Sequence, residues 1–331
     1  MKVTYPAATS VFLLVFATPA AAEVPQQTPD SYARPGEHVT IAPGRAINLR
    51  CSGKGPQTVV LEAGGNADSS TWFRVQSLLS DTVRVCSYDR AGYGFSDLGP
   101  VPRSLQADVD DLHALLKAAK LKAPLVLVGH SLGSNIVRQY AQQHLADVTG
   151  LVLVDPPEQG ADAQLPARWR QEDEDTRKQR NAFLDACAQA AAGGTLGAAD
   201  GPLNACLREA PAWQSPAVAA ATRAYKVKPG YWATLRSELD ENTAIFAAPV
   251  PSDTSFGAMP VVVLSAGKDF PGVPEDVRNV LFAARNQTHE RLLAASTRGR
   301  LVDVPGASHE IQLDQPQAVV DAVTSVMSGR P

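Results

Sequence analysis

Short apolar runs recur along the chain and alternate with segments of amphipathic helical periodicity. Three of the runs, 125–128, 151–154 and 261–264, are continuously apolar. Such runs are typical of parallel strands that are covered on both faces. The other predicted strands are 47–51, 58–62, 83–88 and 301–304.

The segments between the runs predict helices. Leucine and valine residues in 105–116 recur at helical spacing, and Ser104 can cap the start of that helix. Segments 134–144 and 315–327 have the same periodicity. Alternation of strands with helices predicts a doubly wound, mostly parallel α/β sheet.

Two stretches depart from this alternation. Residues 23–45 are rich in Pro, Gln and Thr and predict an extended lead-in. Segment 156–258 contains much alanine and clustered charge but no clear strand, which favours a helical insertion. A separate all-helical domain or a disordered linker is the alternative. We therefore predict an α/β core in 46–155 and 259–331.

The first 22 residues have the features of a secretory signal peptide. Lys2 precedes an apolar core at 11–16, and three alanines at 20–22 provide a small-residue cleavage site. A membrane anchor is the alternative, but this core is far shorter than the roughly 20 residues that a span requires. We expect cleavage after Ala22, a periplasmic or secreted protein, and no membrane span.

Charge and cysteine content narrow the class further. The chain has 30 Lys and Arg against 34 Asp and Glu, a net charge of −4, without a basic run, which argues against nucleic acid as a partner. In an oxidising compartment the four cysteines favour disulfides. The simplest pairing joins Cys51 to Cys86 and Cys187 to Cys206; four free or buried thiols are the alternative. The cysteines do not have the C-x-x-C spacing that would indicate a metal or redox site.

The sequence GHSLG at 129–133 places a serine between two glycines, after an apolar strand and before a helix. This G-x-S-x-G pattern in a strand–turn–helix context indicates a nucleophile elbow, with Ser131 as the nucleophile. A glycine-rich turn without chemistry is the alternative. A serine hydroxyl needs a base to take its proton.

Of the six histidines, His309 is the best candidate for that base. It lies in a loop between the last predicted strand and the last helix, and loops at the carboxyl ends of strands gather around the site in such folds. His130 lies inside the motif, where its geometry directs it away from the serine oxygen. His289 and His113 lie in helical patterns.

These motifs, in this order, resemble the α/β-hydrolase superfamily over about residues 46–327, most closely its capped esterase-like branch. The stretch SYDRAGYGFSD at 87–97 is similar to that family's D-x-R-G-x-G-x-S loop, and we interpret Asp89 as structural. The resemblance implies an oxyanion hole from the N–H groups of Gly65 and Leu132. Ala63 replaces the histidine that the family usually has, so Glu62 or Asn66 would anchor this loop.

The resemblance leaves two candidates for the acid that orients His309. Asp155 and Asp269 each follow a predicted strand. The ordinary arrangement of the family favours Asp269 slightly, whereas similar relatives without an acid there favour Asp155. Family order also places the strands of Cys51 and Cys86 side by side, and the second bridge would then lie in the cap.

The resemblance implies a serine hydrolase that cleaves carboxylic esters through an acyl-enzyme on Ser131, without a cofactor or metal. Haloalkane and epoxide chemistry would need an aspartate at the elbow. An aminopeptidase or amidase would share the catalytic residues, with Glu238, Asp240 or Glu241 binding the substrate amine. A non-catalytic binding protein is the alternative from another class. The expected partner is a small ester or amide, and the sequence leaves its identity and the oligomeric state open.

Overall fold

The computed structural model describes residues 26–198, 201–267 and 272–329. Eight strands form one sheet in the order β1-β2-β4-β3-β5-β6-β7-β8. The strands are β1 (Glu37–Ala42), β2 (Arg45–Ser52), β3 (Thr58–Glu62), β4 (Arg84–Tyr88), β5 (Leu125–His130), β6 (Val148–Val154), β7 (Val261–Ala266) and β8 (Gly299–Val304). Strands β3 to β8 are parallel where they pair, and β1 and β2 form an antiparallel edge. The predicted α/β fold is confirmed.

Nine α-helices are described in these residues. They are α1 (Phe73–Leu79), α2 (Leu105–Ala118), α3 (Leu132–Gln143), α4 (Ala167–Ala192), α5 (Pro216–Lys226), α6 (Pro229–Ala247), α7 (Glu275–Ala294), α8 (Ile311–Asp314) and α9 (Pro316–Ser328). Ser104 caps α2 as predicted, because its side chain accepts the N–H of Ala107. No described helix is long and apolar enough to span a membrane.

The sheet separates two buried apolar clusters. All five residues of β3 are buried, and they alternate between the clusters: Val60 packs with α2 and α3, whereas Val59 and Leu61 pack with α1 and α9. This double coverage explains why the central strands are continuously apolar in sequence. Because β5, β6, β7 and β8 pair in parallel, their carboxyl ends lie together at one end of the sheet, where loops can meet.

The lead-in contains more structure than the sequence predicts. Strand β1 lies within it and pairs antiparallel with β2, in register Val39 to Ile47. Only Val39 of this strand is buried, so β1 has no apolar run that periodicity could detect. The signal-peptide prediction falls on residues 1–22, which lie outside the described residues.

Helices α4, α5 and α6 lie between β6 and β7, where the sequence predicts a helical insertion. Leu184 of α4 and Tyr231, Trp232 and Leu235 of α6 share a third apolar cluster, separate from the clusters beside the sheet. These helices therefore have a small core of their own. The division of the chain into a core and a cap at 156–258 stays a prediction.

Both disulfides form as predicted. Cys51 and Cys86 are register partners on β2 and β4, with Cα atoms 4.1 Å apart. Cys187, in α4, bonds to Cys206 at a Cα distance of 5.9 Å within the helical insertion. One bridge thus joins two strands of the sheet, and the other joins two segments of the insertion.

Candidate active site

Ser131 lies at the turn between β5 and α3 with φ 50° and ψ −121°. A non-glycine residue at positive φ is strained, and such strain is typical of functional sites. The flanking glycines make the turn possible. A Cβ on Gly133 would lie 2.6 Å from the carbonyl oxygen of Glu62, and one on Gly129 would lie 2.3 Å from the carbonyl oxygen of Gly133. Only glycine lets strand and helix approach this closely.

His309 follows β8 and contacts Asp155, the residue directly after β6. Its Nδ1 lies 2.6 Å from Oδ2 of Asp155. Both residues line a cavity of about 670 Å³ together with Ser131. No hydrogen bond joins the Ser131 hydroxyl to the imidazole in these described residues; such bonds are often long before substrate binds.

The second oxygen of the Asp155 carboxylate has partners of its own. Oδ1 accepts hydrogen bonds from Nη2 of Arg285 at 2.5 Å and from the Ala266 N–H at 2.9 Å. Burial alone would raise the pKa of Asp155, but the bonds from His309 and Ala266 and the charge of Arg285 hold this pKa below its usual value. The carboxylate is therefore ionised and fixed from both sides.

Asp155 in turn acts on the imidazole. Burial by itself would lower the pKa of His309, but the hydrogen bond and charge of Asp155 raise it above the usual value. An ionised carboxylate at Nδ1 keeps the proton there and leaves Nε2 as the acceptor nitrogen. His309 can therefore take a proton from a nearby hydroxyl group.

His130 holds the loop of His309 in place. Its Nε2 lies 2.9 Å from the carbonyl oxygen of His309, and the two rings are 4.6 Å apart. Burial lowers the pKa of His130 to about 3, and the charge of His309 adds to this effect. A neutral His130 donates its Nε2 proton to that carbonyl, so it serves as a positioning residue.

The loop after β3 approaches the elbow closely. A Cβ on Gly64 would lie 2.7 Å from Nδ1 of His130 and 3.4 Å from Cβ of Ser131. Leu132 is the first residue of α3, so its N–H lacks an intrahelical acceptor. Gly65, the next residue of the loop, has the Leu132 side chain 3.8 Å from where its Cβ would stand. The two predicted oxyanion donors are thus on neighbouring segments.

Arg90 anchors this loop, which has Ala63 where the family usually has a histidine. Its Nη1 donates to the carbonyl oxygen of Ala63 at 2.6 Å, and its Nη2 donates to that of Gly64 at 2.7 Å. Glu62 binds Arg90 at 2.9 Å and also accepts the Tyr88 hydroxyl. Glu62 therefore helps to anchor the loop, as predicted, but acts through Arg90. Burial raises the pKa of Glu62 to about 8 although Arg90 opposes this.

Helix α6 closes the same network. Glu238 accepts Nη2 of Arg90 at 2.8 Å with one oxygen and the Asn66 N–H at 2.7 Å with the other. The Tyr231 hydroxyl donates to the Asn66 side chain at 2.7 Å. The loop after β3 is thus tied to the helical insertion. The sequence did not reveal these roles of Arg90 and Glu238. Arg90 lies in the loop 87–97, which was interpreted as structural, and Glu238 was a candidate for binding a substrate amine.

Asp89 is structural, as predicted from the sequence. Its carboxylate is buried and accepts the Ser69 N–H, the Phe95 N–H and the Asn48 side chain, all within 2.9 Å. It has no place in the cavity that contains Ser131. Asp89 therefore shapes the loop at 87–97 rather than the chemistry.

The structure brings together four of the predicted site residues: Ser131, His309, Asp155 and, through the elbow, Leu132. Gly65 lines a second cavity of about 660 Å³ together with Glu310, which follows His309 in the chain. The loop that contains His309 and Glu310 therefore contributes to both cavities. Asp269, the slightly favoured acid in the sequence analysis, lies outside the described residues.

Several solved structures share this fold. The chain is similar to Est816, described as an N-acyl homoserine lactone degrading enzyme, with a TM-score of 0.59, 20% identity and coverage of 87% of this chain and 99% of that one. A thermophilic esterase from Thermogutta terrifontis gives a TM-score of 0.56 at 19% identity, with 89% and 98% coverage. The epoxide hydrolase CorEH gives 0.62 at 15%, with 88% and 98% coverage.

Sequence relatives cover less of the chain. The uncharacterized protein YqjL of Bacillus subtilis is 38% identical over 99 residues, which are 30% of this chain and 39% of that protein. A probable transporter, efuK, of Hormonema carpetanum is 35% identical over 118 residues, 34% of this chain and 17% of that protein. The chain thus matches under half the length of these curated relatives. A family model spans residues 59–322, and the chain therefore belongs to the alpha/beta hydrolase family.

Proposed function

We propose that this hydrolase is a serine esterase that cleaves small carboxylic esters through an acyl-enzyme on Ser131. The observation that carries the proposal is the contact of His309 with Asp155 in the cavity that also contains the strained Ser131. A nucleophile, a base and an orienting acid on three loops at one sheet edge have the arrangement of a catalytic triad.

Each residue has one role in the proposed reaction. The Ser131 hydroxyl attacks the acyl carbon while Nε2 of His309 takes its proton. Asp155 keeps the other imidazole proton on Nδ1 and stabilises the imidazolium. The N–H groups of Gly65 and Leu132 bind the developing oxyanion, and each such donor contributes on the order of 3 kcal/mol in the transition state.

Acylation ends when the tetrahedral intermediate collapses: its C–O bond to the alcohol breaks, and His309 gives its proton to the leaving alcohol. The second half-reaction then hydrolyses the acyl-enzyme. His309 then takes a proton from water, which attacks the acyl-enzyme and releases the carboxylic acid. Ser131 regains its proton in that last step. The chain's own side chains and backbone N–H groups, together with water, supply every group that these steps use.

Two candidate carboxylates of the helical insertion already have partners, which favours an ester over a substrate with a free N-terminal amine. Glu238 is buried against Arg90 and the Asn66 N–H. Asp240 forms ion pairs with Arg180 and Arg236. Since an aminopeptidase needs a free carboxylate for the substrate amine, two of the three candidates for that role are already occupied.

A fluorophosphonate probe tests the nucleophile directly. We expect wild-type protein to be labelled and to hydrolyse p-nitrophenyl acetate, and Ser131→Ala to lose both. Ser134→Ala is the matched control: this serine lies in the same elbow, but its hydroxyl donates to the Gly129 carbonyl oxygen at 2.8 Å. Labelling of Ser131→Ala would contradict the assignment, and a wild-type protein without labelling would favour the binding-protein alternative.

We also propose that residues 156–258 form a cap that sets substrate specificity, and that the protein is secreted or periplasmic. The helices of this segment contribute Phe246 and Asn242 to the cavity of Ser131, which supports the first point. Two disulfides in one chain are typical of an oxidising compartment, which supports the second. Cell fractionation, with N-terminal sequencing of the mature protein to locate cleavage after Ala22, tests the location.

A further inference from the structure

A second cluster of chemically active side chains lies away from Ser131. His113 of α2, His144 directly after α3, and Asp147 just before β6 each have a metal-binding atom within 4.8 Å of those of the other two. All three residues are half-buried. The cluster is the only group of three or more His, Cys, Asp or Glu side chains with such spacing in the described parts of the chain.

The two imidazoles are in direct contact. Their rings are nearly parallel, at 10°, with centroids 4.2 Å apart. The Tyr140 hydroxyl lies between the cluster members, 3.3 Å from a carboxylate oxygen of Asp147 and 3.5 Å from Nδ1 of His113. A neutral imidazole offers a nitrogen lone pair to a metal ion, which makes histidine the commonest metal ligand in proteins.

The cluster lies at the amino-terminal ends of β5 and β6, whereas Ser131 and Asp155 follow the carboxyl ends of these strands. It borders a cavity of about 230 Å³ that Leu125, the first residue of β5, also lines. Ser131 follows the last residue of that strand. The mechanism proposed above makes no use of this cavity, so the cluster is independent of it.

We propose that His113, His144 and Asp147 bind one divalent transition-metal ion of the Zn²⁺ class. Two imidazole nitrogens and a carboxylate oxygen are a ligand set that suits Zn²⁺, with water as the fourth ligand, and they do not suit Mg²⁺ or Ca²⁺, which prefer oxygen ligands throughout.

Closing the site requires little movement. Bonds of about 2.0–2.2 Å in tetrahedral geometry place ligand atoms about 3.4 Å apart. The ligand atoms lie within 4.8 Å of one another, so each pair must approach by no more than about 1.4 Å to reach this geometry.

The bound ion would join α2 to the turn between α3 and β6. The backbone N–H of Asp147 already bonds to the carbonyl oxygen of His144, so these two ligands belong to one rigid turn. His113 lies on another helix, so metal binding cross-links two elements. We therefore expect the metal to stabilise the folded state by mass action rather than to alter hydrolysis.

Calorimetric titration of untagged, chelator-treated full-length protein with ZnCl₂ at about pH 7.5, where free imidazole is mainly neutral, tests the proposal. We expect one ion per chain with a micromolar or lower Kd, a melting temperature that rises with zinc, and no response to MgCl₂. His144→Gln and Asp147→Asn should each weaken zinc binding at least tenfold. His38→Gln, a histidine outside the cluster, is the matched control and should bind as wild type.

Two further variants separate this site from other zinc ligands. His309→Gln should keep the stoichiometry; if it removes the bound ion, the zinc site is the active site and the proposal is wrong. Lys117 lines the same cavity one helical turn after His113, so Lys117→Met removes a like charge and should tighten binding a few-fold. Absence of zinc binding, or equal affinity in wild type and His144→Gln, would overturn the proposal.

Discussion

Asp155→Asn gives the sharpest test of the proposed triad, because the structure dictates how the new amide must lie. Two donors, Arg285 Nη2 and the Ala266 N–H, converge on Oδ1 at 2.5 and 2.9 Å. The oxygen of the new amide must occupy that position, which turns its NH₂ group toward Nδ1 of His309, 2.6 Å from the present Oδ2. Nδ1 then becomes an acceptor, and the imidazole proton moves to Nε2.

This tautomer cannot take the Ser131 proton. In serine protease triads the same change lowers turnover about 10⁴-fold, which corresponds to about 5.4 kcal/mol in the activation free energy. The charge-assisted bond from Arg285 is also weakened, at a cost of about 2 kcal/mol in the free energy of unfolding. We therefore expect a folded variant with a lower melting temperature and almost no activity.

The assay is kcat/KM for p-nitrophenyl acetate, referred to folded protein measured by circular dichroism. Asp269→Asn is the matched control and should keep at least half of the wild-type rate. Arg285→Gln separates the two effects of the substitution: it loses the ion pair but keeps the carboxylate, so its rate should fall less than 100-fold. A dead Asp269→Asn with an active Asp155→Asn would show that the acid is the other aspartate, and modest losses in both would remove the triad altogether.

Four other expectations follow from the site and the bridges. Because the pKa of His309 is raised and the base must be neutral, kcat/KM should fall as pH decreases through a midpoint above about 6.5; a midpoint below that value would contradict the Asp155 contact. Gly133→Ala should destabilise the protein by about 1–3 kcal/mol and reduce activity, since its Cβ would meet the carbonyl oxygens of Glu62 and Ala63 at 2.6 and 2.7 Å; an unchanged melting temperature and an unchanged rate would contradict this. Glu238→Ala should lower kcat more than it changes KM, because the Asn66 N–H loses its acceptor and Arg90 loses one of its two carboxylate partners; a change in KM alone would indicate substrate contact instead. Removing the 187–206 bridge, whose sequence separation is 19, should cost about 3 kcal/mol, measured by denaturant unfolding of a double Cys→Ser variant; unchanged stability would refute this.

Local pattern in the sequence predicted most of the elements and the turn that carries Ser131. Continuous apolar runs marked the central strands because both faces of this sheet are covered, and the elbow glycines marked Ser131 because only glycine fits there. His309 follows the last predicted strand, and its approach to the Ser131 turn was predicted because loops at the carboxyl ends of parallel strands meet. Strand β1 escaped detection because it lies at the sheet edge with a single buried residue, Val39.

Tertiary structure alone decided which side chains meet across long stretches of chain. Asp155 contacts a histidine 154 positions away, and Arg90 contacts Glu238 at a separation of 148. Periodicity reports which face of an element a residue occupies, whereas such contacts depend on strand order and on backbone angles such as the positive φ of 43° at Asp155. The sequence therefore predicted a serine and a histidine at the carboxyl ends of the strands, and the packing of distant segments decided that Asp155 contacts this histidine and that Arg90 contacts the loop after β3.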